Sequence, residues 1–165
     1  MISLKDFKEY LIRKPFKEIG LYSHEAEKLC LGTAATESHL GKYLSQLGGG
    51  PARGPFQCEY QSYLDLFQHA LQKDKFPHLN MYMNRALKAC NYHENKMPPF
   101  DELATNLKFA ALICRLDYYR EPEPLPKLND LEGMASYWKR YYNSRKGKGT
   151  IDQFMHDYKY YVENG

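Results

Sequence analysis

No stretch of this chain is apolar enough for long enough to span a bilayer. The opening residues Met1-Ile2-Ser3-Leu4-Lys5-Asp6 lack the apolar centre of a targeting peptide. Synthesis in a cytoplasm without an export signal, and no membrane insertion, are therefore expected. Cysteine is sparse and scattered. Cys30, Cys58, Cys90 and Cys114 form no CxxC pair, which argues against a zinc site or a disulfide framework. The six histidines show no ligand spacing, so neither metal nor cofactor is expected. Neither charge sign dominates: 23 Lys and Arg stand against 20 Asp and Glu, a net charge of +3. That is far from a nucleic-acid footprint, and a nucleic-acid partner is not expected. Repeats are absent, and no run alternates as a half-buried strand does. There is one Trp but there are 15 Tyr. Tyrosine offers a flat apolar face and a hydroxyl, suited both to half-buried core edges and to clefts for sugars or bases.

What remains is an ordinary globular composition, 43% hydrophobic and 26% charged. One domain over residues 1–165 buries about 70% of its unfolded surface. Periodicity predicts an all-α chain, or nearly so. Ser3 opens a first helix with Leu4, Phe7 and Leu11 on one face, ended by Pro15 and Gly20. Ser23 caps a second. A third follows Gln57, carrying Tyr60, Tyr63, Leu64 and Phe67. A shorter fourth spans residues 80–90. After Met97-Pro98-Pro99, Asp101 caps a long central helix with Leu107, Ala110, Ala111, Cys114 and Tyr118 inward. Glu121-Pro122-Glu123-Pro124-Leu125-Pro126 is an extended strap. Asp130 caps a helix striped by Leu131, Met134, Trp138 and Tyr141. Thr150 and Gln153 form a capping box before a last helix that buries Phe154, Tyr158 and Tyr161.

Glu37 is the residue that points to chemistry. Ala34, Thr33, Cys30, Leu29 and Ala26 precede it by three, four, seven, eight and eleven residues, the spacing of one helical face. A carboxyl on that face near a helix C-terminus is poorly solvated and meets the negative end of the helix dipole. Both effects favour the protonated form that a general acid needs. The alternative is a frayed last turn with Glu37 in water. Glu59 and Asp65 lie on the following helix and approach Glu37 only through folding, so no second acid is evident nearby.

Glu37-Ser38 followed by Gly54-Pro55-Phe56-Gln57 resembles the Glu-Ser … Gly-Leu-Met-Gln signature of lytic transglycosylases and goose-type lysozymes. Thr105-Asn106-Leu107 is similar to the family's Asn-Ile element, and Tyr142-Asn143 before a glycine-containing loop is similar to its Tyr-Asn-x-Gly element. The compact form, with Glu-Pro-Leu-Pro and Tyr-Trp-Lys-Arg-Tyr-Tyr-Asn, resembles transglycosylase-like proteins of bacteriophages. Two departures stand out: Pro55-Phe56 replaces Leu-Met, and Tyr141 replaces Ala.

The resemblance implies a lysozyme-like domain with a central helix and a catalytic cleft. It implies cleavage of the β-1,4 bond between N-acetylmuramic acid and N-acetylglucosamine, with Glu37 as acid and then base and a 1,6-anhydro product. Glycan strands would be the substrate, contacted by Ser38, Gly54, Phe56, Gln57, Tyr142 and Asn143. The implied setting is a phage, with action on the wall at genome entry or lysis and other virion proteins as partners. Four of these contact residues also have a structural reading. Ser38 either orients Glu37 or bonds backbone at a helix end. Gln57 either meets the sugar or buttresses the glycine turn. Tyr142 and Asn143 either close the cleft or end a helix, with Asn in a left-handed cap. The basic cluster Arg145-Lys146-Gly147-Lys148 reads as a solvated loop, with contact to an anionic wall polymer or nucleic acid as the alternative. The first rival to catalysis is a non-catalytic virion structural protein retaining the scaffold; the second is a helical nucleic-acid or partner-binding module using the basic loop and the tyrosines.

Overall fold

The computed structural model describes residues 2–143 and 147–165. Its α-helical segments are α1 (Leu4–Asp6), α2 (Lys14–Ile19), α3 (His24–Ser38), α4 (Tyr60–Ala70), α5 (Pro77–Ala89), α6 (Glu102–Thr105), α7 (Leu107–Tyr119), α8 (Leu131–Trp138) and α9 (Ile151–Tyr158). Wider π-helical turns occupy Phe7–Arg13, Lys139–Asn143 and Lys159–Glu163. Among the described residues there is no strand, only isolated bridges pairing Arg53 with Ser45 and with Cys58. The class is all-α. No helix among these residues is long and apolar enough to cross a membrane.

Ser3 caps the first helical column as expected, its hydroxyl accepting the Asp6 N–H at 3.1 Å. Pro15 does not end that column. The chain winds on to Ile19, and Gly20 closes it in the left-handed conformation at φ 83°. A proline lacks the N–H and presses on the carbonyl four residues back. Here the preceding turn is π-wound, with the Lys14 N–H reaching back to the Glu9 carbonyl, and its extra width lets the proline ride inside the column.

Two other starts differ from expectation. The fourth helix, α5, begins at Pro77, where proline's missing N–H has no intrahelical partner to lose. The central helix is not capped by Asp101, whose side chain makes no capping bond. The short α6 ends at Asn106, which turns extended and caps α7 by accepting the Phe109 N–H at 3.1 Å. Thr150 caps α9 through the Gln153 N–H at 3.1 Å, but the capping box is only half made. The Gln153 amide donates forward to Asp157 instead, at 2.8 Å.

Every residue of α7 from Phe109 to Tyr118 is buried, which makes it the axis of the core. The buried apolar residues, from Phe7 to Val162, form one cluster around it. Alongside, α3 pairs Cys30 with Cys114, sulfur to sulfur at 3.9 Å, and Thr33 with the Tyr118 hydroxyl at 2.7 Å. Both partners advance together, so α3 and α7 run in the same direction and their C-terminal ends open on one side. Across α3 lies α9, seated at Gly32, where a Cβ would overlap the Phe154 ring. Glu27 at the start of α3 is buried and ion-paired with Arg13, which fastens the first column to α3. Despite burial, hydrogen bonds from Arg13 and Tyr22 hold its carboxyl below the ordinary value. The strap at residues 121–126 is non-helical as expected. Tyr137 donates to the Glu123 carbonyl at 2.8 Å, and Arg140 and Tyr141 each reach its carboxylate at 2.6 Å.

Candidate active site

Glu37 occupies the last turn of α3, just before His39 turns left-handed at φ 52°. It is half-buried, not frayed into water. The Trp138 indole N–H donates to its Oε1 at 3.1 Å. Burial pushes the Glu37 carboxyl up to about 7; the indole hydrogen bond opposes the shift and the negative charge of Glu59 adds to it. The α3 C-terminus acts in the same direction.

Glu37 faces a cleft of about 640 Å³. Gln57, Tyr142 and Asn143 line the same cleft, so the structure brings together four of the seven residues singled out in the sequence. Ser38, Gly54 and Phe56 do not line it. They are buried behind it and fix the turn that forms its wall. Ser38 is saturated by backbone: its hydroxyl donates to the Pro55 carbonyl and accepts the Gly41 N–H at 2.8 Å. Gly54 sits at φ 84°, and a Cβ there would collide with the Leu103 carbonyl oxygen. Phe56 is sealed against Phe7, ring centroids 6.0 Å apart.

Gln57 carries strain. Its φ is 46°, unusual for a residue other than glycine. Its backbone N–H and its side-chain amide both donate to the Gly54 carbonyl, each at 3.0 Å, which closes the turn on itself. A left-handed residue held this way on a cleft wall is the kind of strain that concentrates at functional sites. Tyr142 donates its hydroxyl to the Phe56 carbonyl at 2.6 Å and stacks on Tyr118 at 5.4 Å. Asn143 ends the π turn and accepts from the Lys139 ammonium at 2.7 Å, while the same ammonium donates to the Gly147 carbonyl at 2.9 Å. Of the basic cluster, Gly147 and Lys148 line the cleft, and Arg145 and Lys146 lie outside the described residues.

Folding adds residues that sequence spacing did not reveal. Trp138, a hundred positions beyond Glu37, was legible only as a member of a core stripe. Glu59, Asp117 and Asp157 also line the cleft, so Glu37 is not its lone carboxylate. Asp65 is elsewhere, in a second cavity of about 590 Å³ where Arg120 holds it at 2.6 Å. Burial pushes Asp117 up to about 6 against the pull of Arg120. Cys58 lines the cleft too, but burial pushes its thiol well above the ordinary value, so it is no thiolate nucleophile. No group of three or more His, Cys, Asp or Glu among the described residues is arranged to hold a metal ion.

A carboxyl pushed up by burial, an indole N–H on it and amides and hydroxyls around an open groove form an arrangement capable of acid–base chemistry. The chain matches no protein-family model, no curated protein and no solved structure.

Proposed function

We propose that this cleft cleaves the glycan strands of peptidoglycan by lytic transglycosylation on a lysozyme-like scaffold. The observation that carries the reading is Glu37 itself, a carboxyl held up to about 7 and hydrogen-bonded by Trp138 in an open cleft. The order of the four short motifs supports it, as does the convergence of three of them, since Glu37, Gln57, Tyr142 and Asn143 share one groove while Asn106 caps α7 away from it.

The protonated Glu37 gives its proton to the glycosidic oxygen. The bond from that oxygen to C1 of N-acetylmuramic acid breaks, and N-acetylglucosamine leaves with a hydroxyl. The C6 hydroxyl of the muramoyl unit then attacks C1 and returns its proton to the Glu37 carboxylate, closing the 1,6-anhydro ring. The biological setting in this reading is a bacteriophage that opens the host wall at genome entry or at lysis. The partners are then glycan strands and, where the protein rides in the particle, other virion proteins.

One observation favours a second outcome. Glu59 lines the same cleft and its charge raises the Glu37 pKa, so a second carboxylate is within electrostatic reach. Paired carboxylates are the apparatus of hydrolysing glycosidases, in which water replaces the C6 hydroxyl.

Mass spectrometry of products from purified peptidoglycan tests both. Anhydro products are expected. Products one water heavier, restored to anhydro mass in Glu59→Gln, establish the hydrolytic reading. Glu37→Gln is expected to lower cleavage on the order of 100- to 10,000-fold with the fold intact. Undiminished cleavage by that variant removes Glu37 from the chemistry. No products from the unaltered protein leaves the non-catalytic virion scaffold.

A further inference from the structure

Asp117 stands at the last turn of α7, on the side where α3 also ends, and it is 8% exposed. Arg120, one turn on, grips it from a single direction. Its Nε donates to Oδ1 at 3.0 Å, and its Nη2 reaches the same oxygen at 2.9 Å. The third arm of the guanidinium, Nη1, donates to Asp65 Oδ2 at 2.6 Å. Arg120 is thereby locked between two carboxylates on different helices. Asp117 Oδ2 accepts no hydrogen bond from the described residues, and Asp117 lines the cleft.

A carboxylate placed only to hold Arg120 would best spread both oxygens over the guanidinium fork. This one spends both contacts on Oδ1 and leaves the other oxygen without a partner among the described residues. A carboxylate oxygen without a protein donor, on a residue that lines a cleft, marks where a ligand's donor fits.

We infer that Asp117 is a substrate-binding residue whose Oδ2 accepts a hydrogen bond from a sugar hydroxyl or acetamido N–H of the strand cleaved at Glu37, with Arg120 and Asp65 as its positioning residues. The inference rests on the proposed function of the cleft. Its chemistry selects a neutral donor, because an ionised acceptor repels carboxylate or phosphate. The charged groups facing Asp117 are Arg120 and Glu121 on its own side and Asp65 from α4; the Cys58 thiol and the Tyr142 hydroxyl, both pushed up by burial, stay neutral beside it.

The experiment measures binding of a soluble N-acetylglucosamine–N-acetylmuramic acid tetrasaccharide by calorimetry in the Glu37→Gln background, where nothing turns over. Adding Asp117→Asn is expected to weaken binding about 10- to 100-fold, the range for a hydrogen bond to a charged group. Asp65→Asn is expected to weaken it severalfold alone and not at all once Asp117→Asn is present, because it acts through Asp117. Affinity in the Glu37→Gln protein should also fall as pH drops through about 6, and that step should vanish with Asp117→Asn. Circular dichroism checks folding; if Asp117→Asn unfolds, the Asp117→Asn/Arg120→Gln pair, which removes both charges, takes its place. Unchanged affinity in the variant overturns the inference while leaving the proposed function standing. If the unaltered protein neither cleaves the wall nor, as Glu37→Gln, binds the tetrasaccharide, the proposed function falls and the inference with it.

Discussion

A single proton on Glu37 links stability to the proposed activity. Folding raises this carboxyl from 4.5 to about 7, so between those values the folded chain binds more protons than the unfolded one. Stability therefore falls as pH rises through that window, by up to about 3 kcal/mol once it is crossed. Glu37→Gln cannot ionise and escapes the loss. Thermal unfolding should show the variant gaining on the parent from pH 4.5 to 8, and a gap that stays constant with pH would contradict the raised pKa. Activity should decline on the alkaline side through about 7 as the proposed acid loses its proton. Trp138→Phe removes the donor that favours the ionised form, so that alkaline limb should move upward. A downward move would mean that the indole serves Glu37 in some other way. The sequence showed the inward placement of Glu37 because its helical neighbours are local. It did not show Trp138, because a bond across a hundred residues leaves no trace in periodicity.

Helices were legible where a face and a cap lie close together in the chain. Ser23 before α3 and Asp130 before α8 cap as their sequence context indicates. Errors arose where two good signals competed, as with Asp101 and Asn106 before α7, or where winding changed, as at Pro15. The contact residues divide for a similar reason. Ser38 follows Glu37 and Phe56 precedes Gln57, but side chains next to each other in the chain diverge, so Ser38 and Phe56 are buried where Glu37 and Gln57 line the groove. Ser38 instead clasps α3 to the turn before Gln57. Ser38→Ala leaves the Pro55 carbonyl without this partner and should cost about 1–3 kcal/mol, read from chemical denaturation. It should also weaken tetrasaccharide binding, because the turn carries Gln57; loss of stability with affinity unchanged would separate the clasp from the site. Gly32→Ala drives a methyl into the Phe154 ring and should destabilise by about 1–3 kcal/mol. An unchanged melting temperature would show that α9 moves freely against α3.

At the scale of the molecule, burial among the described residues is graded from the α7 axis to the exposed loops. The amides of α7 between Phe109 and Tyr118 lie inside the core, and they should be the slowest to exchange with deuterium. The exposed glycine stretch 48–50 should be among the fastest, since side chains added at Gly48 or Gly49 would touch nothing. Uniform exchange across both regions would deny the gradient. The all-α class was legible because it follows from periodicity summed over the chain. The cleft was not, because it arises where α3 and α7 end side by side, and sequence spacing does not encode that pairing. One consequence concerns light. The chain has one indole, and it touches the one carboxyl on which the proposed chemistry depends. Ultraviolet emission excited at the red edge of protein absorbance therefore comes from a single chromophore beside a switchable charge. The protein carries its own optical gauge of that proton, and a fluorimeter and a series of buffers suffice to read it without label or substrate.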